Sequence, residues 1–312
     1  MSQQVVTKKP ALSRLPGSRP SKFLPYLIPG LVALLVIVIV PFGWNIYLSL
    51  TRWRGVGPVK FVGFANWQRL MADATFWKSF LNSFWIIVAI VVIPTALGLL
   101  ISSVLTDVIQ KKFGSGNASF IRALYYLPQL LPVAVASVIM GWIFRPDDGA
   151  VNDLLEKIGL GSLQHNWLGD ADSALPILMV ILIWIQLGYP IVIFMSGLQR
   201  VDPELYEAAS LDGANWWQKF RVVTLPSIVP ELLVVILTAT IGALKTFGPV
   251  YLLTKGGPGT TTIVPSYYSY NQFFQLHQVG YGAAISTALT LVIIVFSVIF
   301  TIIQGRVEKN AA

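Results

Sequence analysis

SFLNSFWIIVAIVVIPTALGLLISSVLT, residues Ser79–Thr106, runs for 28 residues without a charged side chain. A helix needs about 20 mostly apolar residues to cross a bilayer core of about 30 Å. Three more uncharged runs, Phe23–Thr51, Ala123–Phe144 and Ser173–Gln199, extend for 29, 22 and 27 residues. Outward from these runs, the 312-residue chain is 55% hydrophobic and 12% charged, against about 25% charged in an ordinary soluble domain. So few charges cannot cover a soluble surface of this size. The pattern excludes a soluble globular enzyme and predicts an all-α integral membrane protein.

There is no cysteine, and the histidines are His165 and His277 alone. Disulfides, thiolate sites and a histidine-rich metal centre are therefore excluded. The net charge of +8 fits basic residues that flank spans and meet anionic membrane lipid better than it fits nucleic acid, which is not an expected partner.

Apolar blocks bounded by charges and turn residues predict six spans, at about 24–50, 79–105, 122–144, 174–198, 228–253 and 283–303. A polar tail, 1–22, precedes them and another, 306–312, follows. Lys8, Lys9, Arg14, Arg19 and Lys22 ahead of the first span suggest a signal peptide. Its apolar stretch is too long for that, and no small-residue cleavage site follows. Six spans put both termini on one side. With the termini inside, inner segments hold 13 Lys and Arg and outer segments nine, five of these (Arg52, Arg54, Lys60, Arg69, Lys78) in the first outer loop. Gly114–Asn117 reads as a short linker in an inner loop. The fifth span is the odd one: only 13 uncharged residues separate Glu231 from Lys245, about 20 Å of helix. Either charge enters the membrane, where such groups mark functional cavities, or each snorkels to its nearest interface.

The stretch 200–227 is more than a connector. Asp202 is a good N-cap, Pro203 suits the first helical position, and Glu204 complements the positive helix end. A helix over Leu205–Leu211 would end at Gly213 in the left-handed region. A second piece, Ala214–Val223, would lead to Leu225-Pro226 and the fifth span. Such a helix–Gly–helix element suits another protein's groove or, equally, a lipid surface.

Glu207-Ala208-Ala209, Gly213 six residues after the Glu, and Leu225-Pro226 resemble the EAA loop of ABC importer permeases, with Val223 where the pattern has Ile. Asp202 to Ala214 is similar to the carbohydrate branch of that family. So are Leu253-Thr254-Lys255-Gly256-Gly257-Pro258, Tyr281-Gly282-Ala283-Ala284, and the stretch from Leu127-Pro128 through Trp142 and Phe144 to Gly149–Asn152. The resemblance covers about residues 22–305. It implies a permease domain over 23–305 with cytoplasmic termini and a cytoplasmic EAA coupling loop at 200–227, in a multi-pass protein of a bacterial inner or plasma membrane. It also implies a second homologous permease, two ATPase subunits and an extracytoplasmic solute-binding protein. Glu207, Ala208, Ala209, Asp212, Gly213, Leu225 and Pro226 would couple to the ATPase, Glu207 as polar anchor and Gly213 as the turn that aims the helix. A solvated acid in a helix is the plain alternative for Glu207. No Gly-Lys pair exists for a phosphate loop, so ATP and Mg would bind the partner ATPase. The chain itself would hold no cofactor or metal and would not be an enzyme.

A sugar needs hydrogen-bonding groups and aromatic faces in a wet cavity. Gln186 and Tyr189 in the fourth span, where Gly188 and Pro190 weaken the helix, are candidates. So are Lys245, Thr246 and Phe247 in the fifth, near Thr238 and Thr240. Set against the EAA loop, Gln186, Tyr189 and Thr246 fall at sugar-contacting positions of maltose-type permeases, whereas Ala239 and Ala243 replace polar groups there. Gln186 and Tyr189 bonding merely between helices remains open. So do two other functions: import of glycerol phosphate, a polyol or another small solute, and ion-coupled secondary transport using Glu231 and Lys245.

Overall fold

In the computed structural model, residues 24–105 and 124–311 are described, with side chains over 26–105 and 124–307. The tail 1–22 and the linker Gly114–Asn117 lie outside the described residues. The chain divides into two compact units, 1–47 and 48–312. The first contains α1 (Leu24–Leu34), a π-helical turn (Leu35–Ile39) and most of α2 (Val40–Ser49).

The second unit opens with a two-residue hairpin, β1 (Thr51–Arg52) against β2 (Lys60–Phe61). The strands are antiparallel, with Thr51 opposite Phe61 and Arg52 opposite Lys60. Helix α3 (Ala65–Ala72) follows, then α4 (Ala74–Val104). Asp73 starts α4: its carboxylate accepts the backbone N–H of Thr75 at 2.8 Å and of Phe76 at 3.4 Å, two of the donors a helix N-terminus leaves open. At 31 residues α4 is about 46 Å long and forms the axis on which the unit packs. Next come α5 (Leu124–Leu130), α6 (Val133–Ile143), α7 (Ala150–Lys157), α8 (Ala174–Gln186) and α9 (Gly188–Leu198). After them lie α10 (Pro203–Leu211), α11 (Trp216–Lys219), α12 (Leu225–Ser227), α13 (Val229–Leu244), α14 (Pro265–Tyr270) and α15 (Val279–Ala311).

Among the described residues, four helices are long and apolar enough to cross a membrane: Tyr26–Ser49, Ala74–Val104, Ala174–Leu198 and Val279–Val307. Six do so if each of two bent pairs counts as one span. The stretch expected as a continuous third span is broken. Helices α5 and α6 meet at 109°, because Pro132 sits extended at φ −51°, ψ 130° and a residue before proline, here Leu131, avoids the α region. The expected fifth span also differs. It enters through a 70° bend between Trp216–Ser227 and Val229–Leu244 and stops at Leu244 rather than near residue 253. Pro249 has no N–H for the carbonyl of Lys245 and its ring crowds that carbonyl. The chain re-forms as a π-helical turn, Val250–Thr254, closed by Lys255 in the left-handed region. Between α8 and α9 the interruption at Leu187 has the same origin, Pro190 lying four residues after Gln186, but the two helices count as one span.

Two apolar clusters mark the ends of the bundle. Leu99, late in α4, packs with Phe194, Leu198, Phe220, Ile228 and Val235. Near the start of α4, Phe76, Ile86 and Ile90 pack with Leu178, Val264, Tyr281 and others. The loop helix α10 therefore belongs to the first end, and α3, α14 and the start of α15 to the opposite one. Asn82, buried in α4, donates its amide to the carbonyls of Thr260 and Ile263 at 3.2 and 2.8 Å, fastening that far segment to the axis.

Candidate functional site

Asp202 caps α10 by accepting the Glu204 N–H at 3.0 Å, and Pro203 opens the helix. At its other end the Gly213 N–H donates to the Ser210 carbonyl at 3.1 Å and Ala214 N–H to Ala209 at 3.0 Å. These are the paired bonds of a Schellman stop. Gly213 makes the stop feasible, with φ +76°, a region where a Cβ meets the following carbonyl. Asp212 is the C-cap. The second helical piece begins later than the sequence suggested. Asn215 accepts from the Gln218 N–H at 3.0 Å while the Gln218 side chain accepts from the Asn215 N–H at 2.8 Å. That capping box, Asn-x-x-Gln, was readable in the sequence.

Glu207 and Ala208 are exposed, and Ala209 is half-buried. No residue of α10 is buried. Leu211 is 90% exposed, and Leu205, Trp216, Trp217 and Val222 are exposed as well. Beneath this face Tyr206 Oη lies 3.0 Å from the Oγ1 of buried Thr224. Trp216 and Trp217 stack on Phe220 at 5.4 and 5.2 Å. Leu225 is half-buried and packs on the adjoining core, while Pro226 is exposed. The element thus stands on a fixed base while its own surface is open.

Glu231 is largely enclosed. Its carboxylate pairs with Arg200, and its side chain is 11% exposed against 71% for Arg200. Gly197 makes the room: a Cβ there would lie 2.8 Å from Glu231 Cδ. Arg200, Asp202, Leu205, Pro230 and Glu231 line a cavity of about 480 Å³ at the root of α10.

The residues proposed for a solute path divide into two groups. Tyr189 Oη and Thr238 Oγ1 are 3.2 Å apart, so spans four and five meet there, with Gln186 half-buried one turn away on α8. Thr246 is buried; its hydroxyl donates to the Gly242 carbonyl at 3.3 Å, and its carbonyl accepts from Ser266. Phe247 joins an aromatic group, stacked on Tyr251 at 5.4 Å and edge-on to Tyr270 at 5.2 Å. Lys245 is exposed. Ala239 and Ala243 are buried.

The family described as "Binding-protein-dependent transport system inner membrane component" matches residues 118–312, more than half of the chain. The chain belongs to this family. Among its relatives is the "Probable ABC transporter permease protein PH1215" of Pyrococcus horikoshii, 35% identical over 282 residues, 89% of this chain and 94% of that one. The trehalose/maltose transport system permease protein MalF of Thermococcus litoralis is 30% identical and covers 91% of this chain and 93% of its own. A solved bacterial alginate ABC transporter, in complex with alginate pentasaccharide-bound periplasmic protein, has a chain that superposes with a TM-score of 0.80. The match covers 93% of this permease and 96% of that chain at 22% identity, and it shows the ABC permease fold.

Several residues of the permease to which sequence reading assigned no role hold its far end together. Asp73 accepts the hydroxyls of Tyr268, at 2.5 Å, and Tyr281. Burial alone would push its carboxyl up, but these two bonds and the backbone N–H groups of Thr75 and Phe76 outweigh it and leave the carboxyl below its usual 3.8. Burial, with the bond to Asp73, pushes Tyr268 up to about 12. Asn152 donates to the carbonyls of Pro146 and His165 at 2.9 and 3.0 Å and accepts from Trp167 Nε1 at 2.8 Å, which orders the loop after α6.

Proposed function

We propose that this chain is the permease subunit of an ATP-driven importer for a sugar or oligosaccharide. A second permease and two ATPase subunits complete the transporter, and an extracytoplasmic solute-binding protein delivers the cargo. The observation that carries this reading is the α10–Gly213–α11 element, capped at both helix starts and stopped by Gly213, with Glu207, Ala208 and Leu211 turned to solvent. A rigid element with an open apolar face and one central acid suits the cleft of an ATPase. Closure of two ATPases on ATP and Mg would move α10, and with it α9 and α13, which exchange access between the two membrane faces. The loop end is then cytoplasmic and the far end extracytoplasmic, in a cell membrane. The names of the relatives support a carbohydrate cargo, and Tyr189 with Thr238 supplies hydroxyls between two spans.

In this reading ATP hydrolysis belongs to the partner, and the chain is no enzyme. The pairing of Glu231 with Arg200 removes one of the two charges that ion-coupled transport would need. The test is Glu207→Lys in the assembled transporter. Uptake and transport-coupled ATP hydrolysis should be lost while the chain still inserts and assembles with the second permease. Sugar uptake at the wild-type rate would overturn the docking role.

A further inference from the structure

At the far end, segments 51–69 and 276–281 wall a cleft of about 930 Å³. Arg52, Arg54 and Arg69 line it, with Trp53, His277 and Gln278, and no carboxylate does. The walls are fixed. Asn66 donates to the carbonyls of Ser49 and Thr51 at 2.9 and 2.8 Å, and the Val279 N–H donates to the Trp53 carbonyl at 3.0 Å. The Arg69 guanidinium lies 3.8 Å over the Tyr281 ring and donates to Gln278 Oε1 at 2.5 Å. The hairpin register adds a fourth cation, because Arg52 stands directly opposite Lys60. Like charges so paired destabilise a hairpin, and among the described residues none of these cations forms an ion pair. No acid lines the cleft, the Asp73 carboxylate behind Tyr281 being taken up by the hydroxyls of Tyr268 and Tyr281, and in the importer reading this cationic cluster lies on the side where positive residues are otherwise disfavoured.

We infer that this cleft docks an acidic segment of the solute-binding protein, with side-chain carboxylates seated among Arg52, Arg54 and Arg69. This rests on the importer reading above. Guanidinium forks bind carboxylates through two parallel hydrogen bonds, and a cationic cleft steers an acidic partner onto its site. Thr51, Asn66 and Gln278 share the lining with Trp53, Val56 and Leu276, a mixed polar and apolar surface of the kind that protein interfaces bury.

The test uses the whole transporter in nanodiscs, with its solute-binding protein as the probe, at about 50 and about 500 mM salt. Wild-type affinity should weaken with salt. R52E/R54E should bind about tenfold more weakly at low salt and converge on wild type at high salt. R52K/R54K, which keeps the charge, should retain most of the affinity, and an Asp or Glu→Lys change on the binding protein should restore binding to R52E/R54E. Equal affinity of wild type and R52E/R54E at low salt overturns the inference alone. So does a loss of the same size at both salt concentrations, or a change confined to the response to anionic lipid. If the binding protein neither binds nor stimulates the wild type, the importer reading falls, and this inference with it.

Discussion

Tyr206 Oη and Thr224 Oγ1 meet at 3.0 Å, joining the exposed loop helix to a hydroxyl buried under the segment that leads into α13. Through this bond a pull on α10 reaches the bundle by a second route besides the chain itself. Tyr206→Phe keeps the ring and leaves the Thr224 hydroxyl short of a partner, at a cost of about 1 kcal/mol. The expected result is a small fall in the thermal midpoint and a larger fall in solute moved per ATP hydrolysed. An unchanged transport-to-hydrolysis ratio would show that the bond only holds the loop in place.

Arg200 and Glu231 form an unequal pair, one mostly in solvent and the other mostly enclosed. Removing the exposed partner should therefore do more harm than removing the buried one. Arg200→Ala leaves an enclosed carboxylate alone, a loss of about 1–3 kcal/mol, whereas Glu231→Gln leaves a cation that water can solvate. Gly197→Ala should resemble Arg200→Ala, since the new Cβ takes the space of the Glu231 side chain. Thermal unfolding of the three variants in one detergent gives the ranking, and Glu231→Gln as the least stable of them would refute it.

At the far end the sensitive condition is acid. The Asp73 carboxyl is held below 3.8 in the folded chain, so the folded state binds a proton there less readily than the unfolded one. Its contribution is complete above about pH 5, where the unfolded carboxyl is fully ionised, and is lost as pH falls through the folded value. Wild type should lose thermal stability between about pH 5 and pH 3 more steeply than Asp73→Asn. The variant itself should be less stable at pH 7, because an amide cannot accept from both tyrosines and cap α4 as well. Parallel pH curves for the two proteins would contradict this.

The caps of α10 were legible because they are local: Asp202, Pro203 and Gly213 act on backbone groups within three or four residues. The span at Ser79–Thr106 was legible from its lack of charge alone. The end of the fifth span was not, since hydropathy continues smoothly through Phe247 and Val250 while the backbone breaks at Lys245. Apolarity measures a preference for lipid, and it is Pro249 that decides where the helix stops. Partners far apart in sequence left no pattern at all. Arg200 and Glu231 are 31 residues apart, and Asp73 is 195 and 208 residues from its two tyrosines, distances that only packing on α4 closes.

Tyr189 is the residue whose role transport kinetics can decide. The Thr238 hydroxyl has one hydrogen to share between the Val234 carbonyl at 2.7 Å and Tyr189 Oη at 3.2 Å, so the Tyr189 phenol keeps its own proton and is only weakly engaged as an acceptor. Tyr189 is half-buried and Thr238 exposed, so an arriving sugar hydroxyl can donate to the phenol. If it does, Tyr189→Phe loses about 1 kcal/mol of cargo binding, roughly a fivefold rise in the half-saturating concentration. The thermal midpoint should hardly move, because α8, α9 and α13 are packed through Ile191, Phe194 and Val235. A purely interhelical bond gives the opposite pattern, a lower midpoint with half-saturation unchanged. Thr238→Val, measured beside it, should follow Tyr189→Phe in whichever quantity shifts.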